Sequence, residues 1–155
     1  MLWFRCRIPT SLSGMSPRGR LVLVSSISGL PAFGAYFATA LVMVGVFGAF
    51  YALVTQHREY RLLREGCAAA VPAFLGALVG YAIPLSAAMR WSVSLGDFVV
   101  WAMIAAAVQV LAYGATRLLV PDISKRITAN DISAGALLGG IALVFGLINA
   151  ASMTP

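Results

Sequence analysis

The 155-residue chain is short of charge: eleven basic and five acidic residues make up 10% of it, against 61% hydrophobic residues. A soluble domain is about half apolar and about a quarter charged. A water-exposed fold this poor in charge would present large apolar patches and aggregate, so the composition excludes an ordinary soluble domain and points to a membrane. Histidine is all but absent, with His57 the only one. Cysteine is limited to Cys6 and Cys67, which form no C-x-x-C pair and stand beside no histidine. That excludes the usual zinc spacings. No nucleophile with an oriented base stands near His57. The five acids, Glu59, Glu65, Asp97, Asp122 and Asp131, fall between the apolar runs or at their starts, and none pairs with another for acid–base work. The sequence therefore assigns no catalytic residue, no cofactor and no metal ligand, and the chain reads as a non-enzyme.

What is present is a set of long apolar runs. They cover about residues 32–54, 67–89, 98–120 and 132–153, each 22–23 residues long. A helix needs about 20 residues to cross about 30 Å of hydrocarbon. Arg117 is the only charge inside a run, and it lies near an end, where its long stem can carry the guanidinium to the interface. The chain is thus expected to be an all-α membrane protein with four transmembrane helices. Pro84 falls within the second run and predicts a kink, Pro72 lies near its start, and Pro121 follows the third run and reads as a stop.

The net charge is +6, and ten of the eleven basic residues are arginine. They sit between apolar runs, which suits lipid headgroups and topology control rather than nucleic acid. Six of them (Arg58, Arg61, Arg64, Arg117, Lys125, Arg126) fall on one side of the predicted spans. The other side has Arg90 with Arg18 and Arg20, and also Arg5 and Arg7 if translation starts at Met1 rather than Met15. Six against three predicts periplasmic termini and two cytoplasmic loops, 1–2 and 3–4; six against five would be nearly even. Residues 1–31 read as a basic tail, disordered or preceding the true start. With Cys67 at a reducing face, no disulfide to Cys6 is expected.

A shift of 66 residues brings the two halves into correspondence: Gly48 falls on Gly114, Leu53 on Leu119, Glu65 on Asp131 and Gly80 on Gly146. The expected arrangement is two tandem helical-hairpin repeats, residues 32–89 and 98–153, inserted in the same direction and related by a pseudo-two-fold axis along the membrane normal. Gly76 with Gly80, and Gly135 with Gly139, form G-x-x-x-G pairs. These suit close helix packing, either inside the chain or in a homo-oligomer.

Two amides stand in hydrocarbon, Gln109 and Asn149. Each needs a hydrogen-bond partner, in another helix or in a polar path for an ion or small solute. Glu65, Asp131 and Asp97 precede or open helices and are expected to complement the positive helix N-termini. The densest polar stretch is "HREYRLLREG", residues 57–66. It reads as an amphipathic extension running into the second helix. His57, Arg58, Arg61 and Arg64, with Lys125 and Arg126 of the other loop, would face lipid or a partner.

The runs "HREYRLLREGCAAAVPAFLGALVGYAIPLSAAMRW" and "PDISKRITANDISAGALLGGIALVFGLINAASM" resemble the YjfL-like family of small bacterial inner-membrane proteins, over about residues 33–153. The family's pattern has Asn where Cys67 stands, so no role of a polar residue carries over there. The resemblance implies a tandem two-helix domain in the bacterial inner membrane, no established activity, and an association with envelope-stress systems of the phage-shock type. The leading expectation is a non-enzymatic membrane component. It would bind lipid, further copies of itself, or a cytoplasmic or membrane envelope-stress protein. The alternative is a small oligomeric channel or transporter.

Overall fold

The computed structural model describes residues 28–55, 62 and 64–153. Among them lie helices α1 (Leu30–Val54), α2 (Ala70–Trp91), α3 (Leu95–Leu119), α4 (Ile123–Thr128) and α5 (Ile132–Ser152), with no strand among the described residues. The protein is all-helical. Four helices of 21–25 residues are long and apolar enough to cross a membrane, at about 32–38 Å for a rise of 1.5 Å per residue. Residues 1–27 of the basic tail, with Cys6, and His57, Arg58 and Arg61 lie outside the described residues, and the end predicted for the tail at residue 31 already belongs to α1, which starts at Leu30.

The chain divides into two compact units, Met1–Phe37 and Ala38–Pro155. In the first, the described residues reach into the opening turns of α1, where the Phe33 and Phe37 rings stack with centroids 5.7 Å apart. The packing that follows belongs to the second unit.

Helix ends follow from local chemistry. The Ser94 hydroxyl accepts the Asp97 N–H at 3.2 Å, and the Asp97 carboxylate accepts the Val93 N–H at 3.2 Å. This reciprocal pair of the capping-box kind starts α3. The three residues between Trp91 and Leu95 leave room only for a tight reversal, so α2 and α3 are antiparallel neighbours. Helix α3 ends at Leu119, just before Pro121, which has no N–H to continue it. Helix α2 runs through Pro84, whose ring is buried.

The most extensive packing joins α2 to α5. A Cβ at Gly76 would fall on the backbone of Gly139, one at Gly139 on the Pro72 carbonyl, one at Gly135 on the Ala69 carbonyl, and one at Gly146 on the backbone of Gly80. Only hydrogen fits, so the two backbones touch directly. The contacts advance together along both helices, from Ala69 against Gly135 to Gly80 against Gly146, so α2 and α5 are parallel. Both G-x-x-x-G pairs are thus used inside one chain.

Helix α3 packs against both members of this pair, and the short α4 buries Ile123 and Ile127 beneath the second loop. Helix α1 is different. Its backbone stays farther from its neighbours, and rings bridge the gap: Phe47 stacks on Tyr81 at 4.3 Å, and Tyr51 meets Tyr113 edge-on at 5.9 Å. Apolar grooves of about 540 Å³ and 450 Å³ flank it, toward α3 and toward α2. Helices α2 and α5 share a direction, while α1 and α3 are packed unequally against them.

Candidate functional site

Chemistry gathers at two places, the buried amide of α3 and the end of the molecule where loops 1–2 and 3–4 meet. Gln109 is only 1% exposed. Its Nε2 donates to the Ala142 carbonyl of α5 at 3.1 Å, beside the close approach of Gly80. An interhelical bond of this kind holds membrane helices together at about 0.6 kcal/mol on average. Its Oε1 has no hydrogen-bond partner among the described residues, nor has the Nδ2 of Asn149. The buried hydroxyls of Thr55 and Thr116 bond back to the carbonyls of Tyr51 and Ala112, four residues earlier in each case.

At the loop end, Arg64 is exposed and helical, as is Leu62 in its conformation, but no continuous helix carries them into α2. Gly66 adopts φ 79° and the Cys67 N–H donates back to the Leu62 carbonyl at 2.9 Å. This left-handed turn of the Schellman kind ends the helical stretch. The extension predicted to run into the second helix is broken there, because the glycine reverses the chain before α2 begins at Ala70.

The N-cap of α2 corrects a second expectation. It is Ala69, which has no side chain to offer. The oxygen comes from the other loop: Asn130 Oδ1 accepts the Ala69 N–H at 3.1 Å and the Cys67 thiol at 3.4 Å. The thiol also lies within donor reach of the Ile127 carbonyl at 3.3 Å. Glu65, five residues before Ala70, is not the cap. Asn130 makes this reach from φ 64°, a conformation that Asn tolerates better than most residues. Asp131 does cap its helix, accepting the Ser133 N–H at 3.0 Å and the Ser133 hydroxyl.

The second loop, expected to be a cytoplasmic connection whose Lys125 and Arg126 face lipid or a partner, folds as α4 and pairs both cations with its own carboxylates. Lys125 pairs with Asp122 at 2.9 Å, and Arg126 pairs with Asp131 at 2.8 Å while also reaching Ser133. The bond and charge of Lys125 hold the Asp122 carboxyl below its ordinary range. The Ser133 hydroxyl, and then Arg126, draw Asp131 down to about 2. Sequence reasoning placed the charges but not these pairings. It passed over Asn130, whose one signal was an Asn preceding a helix-capping Asp, a turn-prone pair.

These features can be set beside known proteins. The Domain of Unknown Function DUF350 matches residues 25–153. The UPF0719 inner membrane protein YjfL of Escherichia coli strain K12 is 40% identical over 128 residues, which are 83% of this chain and 97% of that protein. The protein of the same name from Escherichia coli O157:H7 matches to the same extent. The chain belongs to the DUF350 family. No solved structure matches it. This DUF350 chain is an integral inner-membrane protein, as the resemblance to YjfL-like proteins implied. Among its described residues no cluster of His, Cys, Asp or Glu is arranged to hold a metal ion.

Proposed function

We propose that this DUF350 protein is a non-enzymatic component of the bacterial inner membrane that works through its basic loop end, binding a partner protein or further copies of itself in envelope maintenance. The observation that carries this reading is how the polar groups are spent. Both grooves beside α1 are lined by apolar side chains, and Gln109 is committed to Ala142. Lys125 and Arg126 are tied to carboxylates of their own loop. Arg64 of the first loop is exposed, and the sequence adds Arg58 and Arg61 to that loop, so the first loop supplies the largest group of arginines at this end. With both G-x-x-x-G pairs occupied inside the chain, an oligomer would use other faces. The arginine count favours a cytoplasmic place for both loops and periplasmic termini.

Crosslinking and affinity capture from native membranes test this. Specific adducts should form with the wild type and fall away when Arg58, Arg61 and Arg64 become Gln. Recovery of the monomer alone, with or without the substitutions, would overturn it. A second reading, a small oligomeric channel or transporter, draws on Gln109 Oε1 and Asn149 Nδ2, which lack partners among the described residues. Liposome flux that Gln109→Leu and Asn149→Leu abolish would favour it; no flux of any ion or small solute would remove it.

A further inference from the structure

The larger groove beside α1 has a chemistry that the basic loop end does not explain. It opens between α1 and α3 and is lined by Phe47, Phe50, Tyr81, Met103, Val110 and Leu111 among others, with a volume of about 540 Å³. The Tyr81 hydroxyl on its wall already donates to the Ala102 carbonyl at 3.3 Å, so the lining offers hydrocarbon. Its depth follows from the helix. The lining of α3 centres on Ala106 and Ala107, halfway along Leu95–Leu119. Arg117 lies ten residues beyond Ala107, a rise of about 15 Å. That is half of the roughly 30 Å hydrocarbon core. The groove therefore sits at the level of acyl-chain ends, and Arg117 at the headgroups of the same leaflet.

Both also share one face of α3. Met103, Val110 and Arg117 recur at intervals of seven, which an α-helix brings to within about 20° of one another per step. Gly114 lies between groove and cation on the line of Ala107. It is exposed, and a Cβ built on it would meet nothing within 4 Å, so the path along the helix is open. Among the described residues Arg117 makes no ion pair, whereas Lys125 and Arg126 are both engaged.

We propose that the α1–α3 groove and Arg117 together form a site for one anionic phospholipid, with an acyl chain in the groove, passing Gly114, and the headgroup phosphate on the Arg117 guanidinium. Arg suits this role because its planar fork meets phosphate oxygens with two parallel N–H bonds. Its aliphatic stem is long enough to follow an apolar path to the headgroups. The apolar slot supplies retention and the cation supplies preference for negative charge.

Native mass spectrometry of the full-length chain, purified in mild detergent and loaded with an equal mixture of phosphatidylglycerol and phosphatidylcholine, tests the site. The wild type should retain one lipid, with phosphatidylglycerol in excess. Arg117→Gln should reduce that preference by about fivefold while still retaining a lipid. Gly114→Leu should reduce retention of both lipids; its position is open, so the fold tolerates the added side chain, which circular dichroism checks. Arg90→Gln, at the opposite end of the helices, should change neither quantity. Equal retention of both lipids by the wild type, or a preference untouched by Arg117→Gln, overturns the proposal. So does a dimer, free of lipid, that Ala107→Phe dissociates, since the groove would then be an interface between copies.

Discussion

At Asp131 a single carboxylate caps α5, binds the Ser133 hydroxyl and pairs with Arg126. These contacts favour its charged form, and its pKa falls from 3.8 to about 2. A carboxyl lowered by folding adds stability that is present above its unfolded pKa and is lost as pH falls through the folded value. The contribution should therefore hold at neutral pH and disappear between about pH 4 and about pH 2. Thermal unfolding in detergent should show this loss in the wild type and a flatter profile in Asp131→Asn over the same window. Asp131 was recognisable in the sequence because a helix N-terminus attracts a nearby carboxylate whatever surrounds it. Glu65 misled for the same reason. The repeat alignment set it opposite Asp131, but Gly66 turns the chain and the cap of α2 comes from Asn130, more than sixty residues away. No local rule reaches that far.

Among the elements, the α2–α5 seam dominates, and its glycines are unequal. Gly76 sits against the backbone of Gly139, whereas nothing lies within 4 Å of a Cβ built on Gly140, one residue along. Gly76→Ala should destabilise the protein by about 1–3 kcal/mol through overpacking. Gly140→Ala should stabilise it by up to about 1 kcal/mol through helix propensity. Denaturant titration in mixed micelles, followed by circular dichroism, separates the two, and equal effects would show the seam to be looser than described. The G-x-x-x-G spacing was visible in the sequence as a capacity for close approach. Its partner was not, because any small-residue face satisfies the same rule. The second loop was likewise visible as polar and basic, but burial of Ile123 and Ile127, which makes it a helix, depends on the helices beneath.

For the whole molecule, bilayer thickness made the four spans readable: hydrocarbon demands runs of that length and punishes charge within them. The unequal seating of α1 and α3 was hidden, since their sequences are alike in composition and differ in which neighbours they meet. Orientation rests on a charge count that can be altered. Replacing Arg58, Arg61 and Arg64 by Gln lowers the loop side from six basic residues to three, against Arg18, Arg20 and Arg90, joined by Arg5 and Arg7 when translation starts at Met1. A periplasm-dependent phosphatase fused to the C-terminus should be active on the wild type and lose much of its activity on the triple variant. An inactive wild-type fusion would reverse the proposed orientation.

The seam between α2 and α5 also sets a schedule for synthesis. The first hairpin must enter the bilayer with its glycine face uncovered, because the helix that covers it is made last. From Gly76 to Gly139 the ribosome adds 63 residues, which at about 5–20 residues per second takes roughly 3–13 s. Throughout that interval lipid, or the same face of another nascent chain, is what the glycine face of α2 can touch. A chain ended after Val120 would hold that condition permanently and should self-associate through Gly76 and Gly80, giving crosslinked dimers that the complete chain, with α5 in place, does not form.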